Sequence, residues 1–208
     1  MKGLLLKDWY MAKKYCKMYL IVAVLFIATA AFVKTNLFFI FYPYIICGML
    51  PFTLMSYDEY SRWQTYSETM PYTRAQIVSA KYLIGLFAQI AVLILSSISQ
   101  AVQMTLGNGF VMNELISLMM LSLTVSLIAS SITPPFMFKL GVEKGRMAYY
   151  FMIGVAAASI IIFSNLKNKI NLPQIRMDIL LAIALMIAIG IFAFSWYLSI
   201  TFYKKREF

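Results

Sequence analysis

The sequence predicts an all-α membrane protein with six transmembrane helices, and three observations lead there. Of its 208 residues, 62% are apolar and 12% charged, against about 25% charged in a soluble domain. The mean hydropathy is +0.79. The apolar residues gather into runs long enough to cross roughly 30 Å of hydrocarbon as helix, and the runs are continuous rather than alternating, which excludes a membrane β-barrel.

The expected spans are Met18–Val33, Leu37–Ser56, Tyr82–Thr105, Phe110–Thr133, Met147–Ser164 and Ile179–Tyr203. Lys34 ends the first, Gly107-Asn108-Gly109 the third and Pro134-Pro135 the fourth. Pro43 and Pro51 fall inside the second, where a missing donor and a ring clash predict a kink. Lys13, Lys14 and Lys17 precede the first run, and no small-residue cleavage site follows it. It reads as a span that stays, not as a signal peptide. The whole chain, 1–208, reads as a single transmembrane domain.

The net charge of +10 is accounted for by topology. With the N-terminus in the cytoplasm, fourteen of the 18 Lys and Arg lie inside and only Lys34, Lys167, Lys169 and Arg176 outside, as the positive-inside rule requires. Six spans return the C-terminus to the cytoplasm. The basic residues then meet lipid headgroups, and no nucleic-acid partner is expected. Between the span ends only Glu114 carries a formal charge, so the interior offers little to relay a proton. The sequence has no histidine and two cysteines, Cys16 and Cys47. That excludes His-based catalysis and a Cys/His metal site, and a disulfide between two cysteines at apolar runs is not expected.

Residues 1–17 project as an amphipathic interfacial helix. Leu5, Trp9, Ala12 and Cys16 share one face, extended by Met1, Leu4, Met11 and Tyr15; Lys2, Lys7, Lys13, Lys14 and Lys17 take the opposite arc. Such a helix suits the inner interface, lysines toward anionic headgroups. The segment between the second and third spans carries two capping boxes, Ser56…Glu59 and Thr73…Gln76. With Pro71 as a stop, they predict a separate helix over 57–71. It bears Asp58, Glu59, Arg62 and Glu68 beside Tyr60, Trp63 and Tyr66. Charges mixed with Trp, Tyr and Arg suit a docking surface; an interfacial helix with its aromatics at headgroup level is the alternative. Between the fourth and fifth spans, Phe136 and Phe138 are expected to dip into the interface beside Lys139.

Three segments resemble the permease subunits of ABC-2-type transporters, in particular a short six-span exporter branch. They are Met-Lys-Gly-Leu-Leu-Leu-Lys-Asp8-Trp9; Asp58-Glu59…Trp63…Met70-Pro71…Arg74…Ile77-Val78…Ala80-Lys81-Tyr82; and Pro135…Phe138-Lys139-x-Gly141-x-Glu143-Lys144-x-Arg146. The resemblance implies a bacterial cytoplasmic-membrane protein whose first helix is interfacial and whose coupling helix is the 57–71 segment. It implies partner contacts at Asp58, Glu59, Tyr60, Arg62, Trp63, Tyr66, Glu68, Phe138, Lys139, Glu143 and Lys144. The partners implied are two copies of a soluble ABC ATPase and a second permease chain, in a homo- or heterodimer. Members of this branch export amphipathic peptides such as bacteriocins, lantibiotics and phenol-soluble modulin-type toxins, or confer resistance to them. The chain has no G-x-x-x-x-G-K-[ST] loop, so it is expected to hold no cofactor and catalyse nothing itself, with ATP and Mg on the partner ATPase. A non-transporting accessory or sensor subunit is the alternative reading.

Overall fold

The computed structural model describes residues 1–32, 37–67, 69–107, 111–145, 147, 150 and 177–205. Among them the named regular elements are all helices: α1 (Lys2–Tyr15), α2 (Lys17–Phe32), α3 (Leu37–Gly48), α4 (Leu50–Tyr60), α5 (Trp63–Ser67), α6 (Arg74–Gly107), α7 (Met112–Leu140) and α8 (Met177–Lys205). Among the described residues, four stretches are long and apolar enough to cross a membrane: Ile40–Tyr60, Arg74–Leu106, Met112–Leu140 and Ile179–Lys205. The first expected span lies on α2, whose apolar part, Lys17–Ala30, is shorter. The fifth expected span, beyond Met147 and Tyr150, lies outside the described residues.

The long helix α6 is the spine of the bundle, packed against α1, α2, α3, α4, α7 and α8. Its buried face runs through Val78, Lys81, Tyr82, Gly85, Gln89, Val92, Ser96 and Gln100, the spacing of three and four that keeps one side of a helix inward. Much of that face is polar, and nearly all of it is hydrogen-bonded to neighbours. The Tyr82 hydroxyl lies 2.8 Å from Ser195 Oγ and 2.7 Å from Ser199 Oγ on α8. Gln89 Nε2 donates to the Ser126 carbonyl at 3.3 Å and to Ser130 Oγ on α7. Ser96 Oγ meets the Tyr44 hydroxyl at 2.5 Å, and Ser99 Oγ donates to the Ile27 carbonyl at 2.6 Å. Lipid tails are as apolar as leucine, so helices in a bilayer are held by close packing and by such bonds. Tyr82 also stacks on Trp196, centroids 5.4 Å apart and planes 5° from parallel.

The second span is interrupted beside a proline where a kink was expected, but Pro134-Pro135 acts differently from expectation. The second span breaks at Met49, between α3 and α4, with Pro51 in the first turn of α4; Pro43 sits inside α3. Pro134-Pro135 does not end the fourth span, because α7 continues through both to Leu140. Proline lacks the N–H that would bond four residues back, so Pro135 frees the Ser131 carbonyl. Ser195 Oγ on α8 donates to that oxygen, and a neighbouring helix thereby satisfies it. α7 stops instead at Gly141, whose φ of 84° is open to glycine and whose N–H donates to the Met137 carbonyl at 2.9 Å.

The segment expected as one helix over 57–71 is built otherwise. No helix starts at Ser56, since α4 runs straight through it to Tyr60. Leu54, Met55 and Asp58 are buried on its inner side, and this packing outweighs the local capping signal. The chain turns at Ser61 and Arg62, the latter at φ 52°, and α5 adds only five residues. The second capping box does form: Thr73 N–H donates to Gln76 Oε1 at 3.1 Å, and Gln76 N–H to Thr73 Oγ1 at 3.3 Å, at the start of α6.

Gly85 is where α6 meets the break in the second span. A Cβ there would stand 2.8 Å from Pro51 Cγ, in a ring with no rotamer to escape by. At Gly190 on α8 nothing lies within 4 Å of such an atom. Gly85→Val is expected to destabilise by about 1–3 kcal/mol, the usual range of overpacking, and to lower the thermal midpoint in detergent. Gly190→Val should leave it unchanged. Equal midpoints for the two variants would refute this close approach.

Candidate functional site

The face of α1 that turns inward is Leu4, Asp8, Ala12 and Cys16; it keeps Leu4, Ala12 and Cys16 of the expected apolar face but takes in Asp8 and leaves Trp9 out. Trp9 is 59% exposed. The reason is Asp8, an acid on the inner face. It is 2% exposed and accepts from Lys81 Nζ on α6 at 2.7 Å. Lys81 also reaches Asp58 Oδ2 on α4 at 2.5 Å. Lys7 closes the group, its Nζ 2.7 Å from Asp58 Oδ1 and 3.2 Å from Asp8 Oδ1. Two cations and two carboxylates from three helices thus sum to zero charge. A lone buried ion would be strongly unfavourable; a matched set offsets much of that penalty.

The cluster is closed toward solvent by aromatic side chains. Lys7 Nζ lies 4.2 Å from the centroid of the Trp63 ring, a cation–π contact, and Trp63 packs on the core of Met55, Ile77, Phe138 and Tyr203. Beside it, Arg74 Nη1 donates to the Lys204 carbonyl at 2.9 Å at the end of α8, where a cation suits the unpaired helix carbonyls. Cys16, the last buried residue of the α1 face, has its thiol pushed up to about 11 by burial, with Lys81 pulling the other way. It therefore stays protonated at neutral pH. Both cysteines are free and buried.

Glu59 ties the segment after α7 to the end of α4. Its Oε2 accepts from the Val142 N–H at 2.8 Å. Tyr60, Arg62 and Tyr66 on one side and Lys139, Glu143 and Lys144 on the other are exposed. They form one surface of aromatic and mixed-charge groups at the end of the bundle that carries α1.

The family model described as ABC-2 family transporter protein matches residues 3–204. The chain belongs to this family. No curated protein and no solved structure matches it. Membership makes the chain a transport permease rather than an enzyme and implies an ABC ATPase as its partner. With the apolar helices, it makes the permease a multi-pass membrane protein.

Against this frame, the residues expected at the partner surface divide. Tyr60, Arg62, Tyr66, Lys139, Glu143 and Lys144 face outward. Trp63 is partly buried under Lys7, and Glu59 is occupied by Val142. Asp58 and Phe138 are buried: Asp58 belongs to the ion cluster, and Phe138 packs edge-on against Tyr203, centroids 5.3 Å apart, instead of dipping into an interface. Glu68 lies outside the described residues. The interior of the permease is also not confined to one formal charge at Glu114, since Asp8, Asp58 and Lys81 are all buried. Sequence reading missed Asp8 and counted Lys7 and Lys81 as loop cations. The available signal was Asp8 in register with Leu4, Ala12 and Cys16 on an otherwise uncharged stripe.

Removing Lys81, the buried cation, leaves two buried carboxylates with only the part-exposed Lys7 between them. Lys81→Met should cost about 3–5 kcal/mol, as when a buried pair is broken from one side, seen as loss of monodisperse protein after detergent extraction. Adding Asp8→Asn restores the charge balance, leaving Lys7 paired with Asp58, and should recover much of the yield. If Lys81→Met alone extracts like the wild type, the cluster does not hold the permease together.

Proposed function

We propose that the permease is the membrane subunit of an ATP-driven exporter of amphipathic or hydrophobic peptides, in the bacterial cytoplasmic membrane. Two permease chains, identical or related, pair in the membrane, and two ABC ATPase subunits dock on the surface formed by Tyr60–Ser67 and Lys139–Lys144. N- and C-terminus lie on the cytoplasmic side, in keeping with fourteen of 18 basic residues there. ATP and Mg are held by the ATPase. The observation that carries the docking reading is the joining of those two segments by Glu59 and Val142. It presents two exposed tyrosines and mixed charges together, a composition suited to a partner.

Docking is tested by purifying the permease in mild detergent and identifying the ATPase that accompanies it. Tyr60 is 91% and Tyr66 57% exposed, so trimming them leaves the fold intact. Each interface tyrosine is expected to contribute about 2 kcal/mol, so Tyr60→Ala with Tyr66→Ala should reduce ATPase recovery more than tenfold at equal permease yield. Undiminished recovery from the double variant would place the ATPase elsewhere.

The cargo reading rests on how charge is distributed inside the bundle. Buried ions among the described residues sit at the α1 end, while the remaining interior polar groups on α6 and α7 are uncharged: Gln89, Ser96, Ser99, Gln100, Ser122, Ser126 and Ser130. Hydroxyls and amides can meet peptide groups without a charge to repel an apolar side chain. In liposomes, ATP hydrolysis by the assembled complex should rise with amphipathic helical peptides and not with sugars or amino acids. Stimulation by a hydrophilic metabolite alone would assign a different substrate class.

A further inference from the structure

We infer that Lys7 is a positioning residue for transport, the side chain through which an ATPase docked on the Trp63 turn sets the position of α1. The inference rests on the docking reading above and adds the residue that links the docking surface to the spans. Lys7 is the one member of the cluster whose side chain is substantially exposed, at 22%, against 2–6% for Asp8, Asp58 and Lys81. Its Nζ touches three things at once: the Trp63 ring, Asp58 at the end of α4, and Asp8 on its own helix. Trp63 begins α5, directly after the left-handed turn at Arg62. A partner pressing on Tyr60, Arg62 and Tyr66 shifts the ring against which Lys7 is held.

The chain offers a second direct contact by which the outer end of α1 can follow. Tyr15, the last residue of α1, stacks on Tyr57 of α4, centroids 4.2 Å apart. Lys7 and Tyr15 are two turns apart on the same helix and grip the same last turns of α4. Removing Lys7 leaves Asp58 paired with Lys81, so the core of the cluster persists while the link from Trp63 to α1 is lost. A role confined to stability would reduce the amount of assembled complex; a positioning role reduces turnover per assembled complex.

The experiment uses the permease with its co-purified ATPase in liposomes and reads basal ATP hydrolysis per docked ATPase, a quantity that requires no cargo. Lys7→Met should keep ATPase recovery and lower hydrolysis by about tenfold, the scale of a partly desolvated cation–π contact; Lys7→Arg should retain most of the rate. In a background of Cys16→Ala and Cys47→Ala, Tyr15→Cys with Tyr57→Cys supplies a disulfide that holds α1 on α4 in place of Lys7. Oxidation should restore hydrolysis to Lys7→Met, and dithiothreitol should abolish the rescue. Unchanged hydrolysis in Lys7→Met, or a tethered Lys7→Met complex that stays slow, overturns the inference. If Lys7→Met accumulates only when tethered, the tethered rate decides in the same way. Failure of the docking reading is separable, since it shows as ATPase recovery unaffected by the Tyr60 and Tyr66 substitutions.

Discussion

A lysine inside an apolar helix bundle has to be neutralised where it lies. Lys81 is 4% exposed, flanked by Ala80 and Tyr82 on a helix that crosses the bilayer. An ammonium there without partners would be expelled or would lose its proton. It keeps its place because two carboxylates come to it, from two other elements. Asp8 can reach it only if α1 lies against α6, and Asp58 only if α4 stays helical through Ser56 to its last turn. The position of the N-terminal helix, the length of α4 and the site of the turn at Arg62 all follow from that one need.

A second constraint shapes the rest of the bundle. Proline and helix breaks free backbone carbonyls, and in hydrocarbon no water is at hand to satisfy them. The permease meets this with hydroxyls from neighbouring helices. Ser195 on α8 serves the Ser131 carbonyl below Pro135; elsewhere hydroxyls add to carbonyls within intact helix, Ser99 of α6 to Ile27 of α2 and Thr53 Oγ1 to Met49 four residues back at 3.1 Å, where the Thr53 N–H also donates. These bonds cross between helices as well as along them, so they fix which helix faces which. Glycine completes the fit at Gly85, where any side chain would meet the Pro51 ring.

The all-helical class and the placement of the long apolar helices were legible because continuous apolar runs and turn residues report them directly. So was the start of α6, since the Thr73…Gln76 pair is a local device that needs no tertiary contact. The Ser56…Glu59 pair has the same pattern and did not act. There the inner face of Leu54, Met55 and Asp58 holds the backbone helical, and packing prevails over a cap of about 1 kcal/mol. Tyr60, Arg62 and Tyr66, on the exposed half of the candidate surface, were legible as a cluster of aromatic and charged residues, whereas Lys139 and Lys144 entered only through the family resemblance. The buried half was not legible, because Asp8 and Lys81 are 73 residues apart and each alone looks like an interfacial charge. Only the helical register of Asp8 with Leu4, Ala12 and Cys16 hinted that it turns inward.

The cluster's place at one end of the bundle matters for what it can transmit. Coulomb attraction strengthens as water leaves, by several-fold between a wet surface and a dry interior. Three of the four charges already sit in the dry part, while Lys7, beside the Trp63 ring, keeps part of its side chain in contact with solvent. A chain that covers Lys7 together with Trp63 raises the attraction of Lys7 for Asp8 and Asp58 without adding a contact of its own. A surface residue that reports its own coverage to a buried ion set is well suited to join a docked partner to the helices. A purely apolar anchor at the same place would gain affinity on being covered, but would have no charge through which to pull on α1 and α4.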